Sequence, residues 1–99
     1  MSGGYFNYDQ YKIGYIVHSI EQLVINNDSK ELNDWGNAKG RGYSKDTIEA
    51  FEEAIFFLRT AQIYAHRIDW LVSGDDGEEN FHIRLNKELE EEQHDKAET

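Results

Sequence analysis

From Lys45 to Ser73 the chain carries neither glycine nor proline, and apolar residues recur at three- and four-residue spacing throughout. An unbroken helical pattern of this length constrains everything around it. Ser44 suits the N-cap, Tyr43 and Ile48 suit a hydrophobic staple, and Asp46 and Glu49 suit the positive end of the helix dipole. Gly74 supplies the stop. The helix is expected over residues 44 to 73, and the roughly 28 residues between its caps span about 42 Å at 1.5 Å per residue, more than a small globule needs.

Two shorter helices flank it. The first is expected over residues 7 to 26, with Asn7 as N-cap, Gln10 completing a capping box and Phe6 stapled to Tyr11. Ile13, Ile16, Val17, Ile20, Leu23 and Val24 form its apolar stripe. The third is expected over residues 76 to 90, capped by Asp76 with Glu79 three on, and presents Phe81, Leu85 and Leu89. Between the first two lies a Gly/Asn-rich connection, residues 27 to 43, long enough to need anchoring; Leu32 and Trp35 are the expected anchors. After Leu89 the chain is almost wholly charged and is expected to fray into an acidic disordered tail over 90–99. The expected fold is all-α: a single helical domain over 1–89 with two long antiparallel helices and a short third one.

Composition removes several functions. Twenty acidic residues against ten basic give a net charge of −10, which opposes direct nucleic-acid binding and docking on an anionic membrane. No apolar run approaches the roughly 20 residues of a membrane span. The N-terminus, Met1-Ser2-Gly3-Gly4, does not read as a signal peptide. With no cysteine there is no disulfide framework and no thiolate chemistry, so a cytoplasmic location is expected. The charge is uneven, since residues 75–99 hold ten acids and three bases.

The long helix has more apolar surface than one neighbour covers. Placed on a wheel, Ile48, Phe51, Ala54, Ile55, Phe57, Leu58, Ala61, Tyr64, Ala65, Ile68, Leu71 and Val72 fill an arc of about 200°. Among the charges of the opposite side stand Phe56, Ile63 and Trp70, each seven residues from the last. On the first helix Tyr8, Tyr11, Tyr15 and His18 line up away from the main stripe. Either the three helices and the loop wrap the long helix and both stripes are core, or something else covers one. The second is expected, with a second copy of the chain favoured over a different protein because symmetric dimers are the commonest assembly.

Chemistry is weak by comparison. Glu79 with His82, and Glu91 with His94, have the Glu-x-x-His spacing of di-iron bundles, and His66 and Asp69 sit one turn apart beside Trp70. Each pair is better explained by solvated side chains. Asp75-Asp76-Gly77-Glu78-Glu79 lacks the alternating ligands of a calcium loop. Gly36-Asn-Ala-Lys-Gly-Arg-Gly-Tyr43 places bases ahead of a helix N-terminus without matching a phosphate-binding fingerprint. Ser19 follows His18 directly, so the two side chains diverge on a helix. No cofactor, metal or enzymatic activity is expected.

The expected function is that of a non-catalytic adaptor or modulator acting through Phe56, Ile63, Trp70 and the Tyr8, Tyr11, Tyr15, His18 row, with itself or another protein as partner. The alternative is a charge mimic of phage or plasmid type, whose acidic surface of Glu88, Glu90, Glu91, Glu92 and Asp95 occupies the basic nucleic-acid groove of another protein.

Overall fold

The computed structural model describes residues 4–98, with side chains through residue 93. Three helices follow one another, α1 (Gln10–Ile25), α2 (Lys45–Val72) and α3 (Glu78–Glu98). The long central helix begins and ends where local chemistry dictates. The Ser44 side chain accepts a hydrogen bond from the Thr47 N–H at 3.3 Å, and Tyr43 packs edge-on against Phe51, one turn beyond Ile48. At the far end Gly74 takes φ +84°. Its N–H donates to Leu71 O and that of Asp75 donates to Trp70 O, the paired bonds of a Schellman motif.

α1 starts three residues later than the capping-box signature suggests. Asn7 and Tyr8 both adopt positive φ, at 54° and 61°, and Asp9 occupies the N-cap position without a side-chain cap. Asn7 is therefore not the N-cap. Gln10, instead of folding back on the cap, is buried, and its amide donates to Asp69 Oδ2 at 3.1 Å. A bond across 59 residues of sequence displaces a local one.

The connection is anchored differently from expectation. Leu32 and Ala38 form a single antiparallel bridge, making a short hairpin whose tip carries Trp35 at 85% exposure. Leu32 is exposed as well, so neither residue pins the loop. Buried Asn27 does so, accepting from the Tyr43 N–H at 2.9 Å and donating to Tyr43 O at 3.0 Å. Gly40 lies against the end of α1, where a Cβ would meet Asn27 O at 2.5 Å and Asn26 O at 2.6 Å.

α3 begins at Glu78, two residues after the expected cap. The Asp76 carboxylate instead meets Arg84 at 3.0 Å and Arg67 at 3.9 Å. The helix does not stop near residue 90 but continues to Glu98; Glu, Gln, Lys and Ala are good helix formers and no breaker intervenes.

α1 and α3 flank α2 on different sides and, among the described residues, do not pack on each other. The result is one layer of helices with principal extents of 52 × 30 × 14 Å. Val17 and Leu85 are the buried apolar residues among those described. Gly40→Ala is expected to cost roughly 2 kcal/mol through its backbone clash, whereas Trp35→Ala stays within about 0.5 kcal/mol of the parent. Urea unfolding of the two variants checks both.

Candidate interaction surface

Two charged residues of α2 set which way its neighbours lie. Arg67 is 8% exposed; its Nε lies 3.0 Å from Glu88 Oε1 of α3, and its guanidinium rests 5.3 Å from the Trp70 ring centroid. Asp69 is fully buried on the α1 side. Its Oδ2 accepts from the Gly4 N–H at 3.0 Å and its Oδ1 from the Phe6 N–H at 3.1 Å. Two residues on a helix are about 200° apart, so these side chains draw α3 and α1 to nearly opposite flanks. Arg59 ties both together, 2.6 Å from Glu21 of α1 and 3.9 Å from Glu92 of α3.

A layer of this kind has two broad faces. On one, Tyr8 stacks on Tyr11, Tyr11 approaches His66 and His66 approaches Trp70, with ring centroids 6.2, 6.2 and 5.6 Å apart. Arg59, Gln62, Ile63, His66, Glu88 and Glu92 line a shallow cleft of about 310 Å³ beside them. Members of the two expected aromatic rows thus meet through His66. Phe56, Ile63 and Trp70 are all half-buried, while Tyr15 and His18 stand exposed on the outer side of α1. Of the expected acidic surface, Glu88 and Glu92 turn inward to the arginines. Glu90 and Glu91 are exposed, and the side chain of Asp95 lies outside the described residues.

The other face was not singled out by the sequence. Ala61, Tyr64, Ile68 and Val72 are all exposed along α2 at successive turns, with Phe57 at the head of the row and in ring contact with Phe56. On the wheel these residues fall within the wide arc expected to be core. With α1 held at Asp69 and α3 at Arg67, that part of the arc stays exposed among the described residues. On α1, Tyr11 leans toward His66; Ile16, about 140° further round, is exposed on the side away from it. The width of the apolar arc was the available signal, since one helix packed at one edge cannot cover 200°.

Among the described residues no three His, Asp or Glu side chains gather to hold a metal ion, and no helix is long and apolar enough to cross a membrane. In the Gly36–Tyr43 stretch Lys39 faces Glu31 at 3.4 Å, and the segment forms the return arm of the hairpin.

Two titratable groups of α2, His66 and Asp69, respond to pH in definite directions. Partial burial and the adjacent Arg67 charge lower the His66 pKa, against the opposing pull of Glu88 and Asp69. The unfolded chain then takes up a proton more readily than the folded one. Stability is complete above the ordinary value of 6.5 and declines as pH falls from there toward the folded value. For Asp69, burial alone would raise the carboxyl, but the N–H groups of Phe6, Gly4 and Tyr5 and the Gln10 amide outweigh it and hold it below 3.8. Its contribution is present above about pH 4 and is lost as pH falls through the folded value. Thermal melts from pH 8 to pH 2 should therefore show two declines, with His66→Gln removing the upper and Asp69→Asn the lower. In Asp69→Asn, amide exchange at Gly4 and Phe6 should also quicken.

Known family models, curated proteins and solved structures offer no match to this chain.

Proposed function

We propose that this protein is a non-catalytic interaction module, an adaptor or modulator, that works through the apolar face of α2 marked by Tyr64, Ile68 and Val72. One observation carries the reading: a neutral, apolar row stands exposed along a chain whose charge is −10 and whose buried apolar residues are few. A large exposed apolar patch on a small protein marks a contact surface. The aromatic cluster of Tyr8, Tyr11, His66 and Trp70 on the far side rims the cleft and is a subsidiary contact region. The cysteine-free composition suits work in a reducing, cytoplasmic setting.

The charge-mimic alternative finds less support, because Glu88 and Glu92 are spent on internal ion pairs with Arg67 and Arg59. Salt separates the two readings. An apolar contact persists at high ionic strength, whereas a charge-driven one dissolves.

The experiment is capture of bound protein by the immobilised chain, compared with the Tyr64→Glu/Ile68→Glu double variant after circular dichroism has verified its helix content. Binding is expected to weaken by roughly 30-fold or more and to survive high salt in the parent. Equal capture by the double variant, or loss in high salt alone, overturns the reading.

A further inference from the structure

We infer that the occupant of the α2 face is a second copy of this chain, crossing it antiparallel about a two-fold axis that passes beside Tyr64. This rests on the reading of that face as the working surface and adds what covers it.

The chain exposes 7290 Å², where a compact monomer of its mass exposes about 5,800 Å². Its radius of gyration is 17.2 Å, against about 12.6 Å for a compact chain of this length. The excess area, about 1,500 Å², exceeds the roughly 800 Å² that each partner contributes to a standard interface. A single layer has no second layer to bury its apolar side, and a second copy supplies one.

A two-fold contact demands self-complementarity, because the same patch serves both sides. The row is nearly symmetric about the Tyr64–Ala65 step. An antiparallel crossing there sets Phe57 opposite the partner's Val72 and Ala61 opposite the partner's Ile68, so that larger side chains meet smaller ones. Tyr64 then lies beside its own counterpart, as offset rings prefer.

Two copies at −10 each repel, and like charges set directly across a contact would add to that repulsion. Ala61, Tyr64, Ile68 and Val72 carry no charge, while Arg59, Arg67 and the acidic residues paired with them belong to the flanks and the opposite face. The apolar row is thus the part of α2 on which like-charged copies can meet.

Light scattering on a sizing column, at low and high salt, should return twice the chain mass of 11.6 kDa, with Ile68→Glu halving it while circular dichroism remains helical. The natural chain has no cysteine, so single introduced thiols report geometry cleanly. Tyr64→Cys should form a covalent dimer under mild oxidation, and Ser19→Cys, on the outer side of α1, should not. A dimer crosslinked through Ser19→Cys but not Tyr64→Cys overturns the inference. So does a monomer. If that monomer still loses its captured protein in the Tyr64→Glu/Ile68→Glu variant, the second copy fails and the working surface stands. If the variant changes nothing, both fail.

Discussion

A buried arginine and a buried aspartate two residues apart on one helix organise this molecule. Charged groups leave water only when partners of opposite charge or good hydrogen-bond donors replace it. Arg67 meets that requirement with Glu88, Asp76 and the Trp70 ring. Asp69 meets it with two backbone N–H groups and the Gln10 amide. Because helix geometry turns these side chains to nearly opposite sides, the segments they recruit cannot gather round a common centre. The flat arrangement follows, and so does the small number of buried apolar residues among those described.

Polar anchoring also shapes the electrostatics. Glu21, Glu88, Glu92 and Asp76 face arginines within the fold, so the net charge overstates the acidic surface offered outward. Carboxylates concentrate along α3, Arg59 and Arg67 sit where α2 meets its neighbours, and the row from Ala61 to Val72 is left neutral. Separation of a charged edge from an apolar face leaves a strongly acidic chain with a surface suited to close packing.

The features legible in the sequence are those written by neighbours in the chain. Ser44 and Gly74 bound α2 because caps act within three or four residues, and the all-α architecture follows from the spacing of apolar residues. The start of α1 was not legible, because Gln10 reads as a capping partner until Asp69, 59 positions away, takes its amide. Trp35 reads as an anchor by size, yet the loop is held by the side chain of Asn27 and the missing side chain of Gly40, neither of which a hydrophobic pattern registers. Likewise the wheel reveals that α2 has too much apolar surface. It does not reveal which part stays open, since that depends on where Arg67 and Asp69 find partners.

The two tryptophans occupy contrasting environments, and this gives the molecule two internal lamps of different colour. Trp35 projects into water from the hairpin tip, so its emission should lie to the red and yield to dissolved quenchers. Trp70 is half-buried beside Arg67 and His66, so its indole should emit further to the blue, shielded from collisions yet dimmed whenever the neighbouring imidazole gains a proton. Events at the loop and at the α2–α3 junction can thus be followed separately in the light of one unlabelled protein.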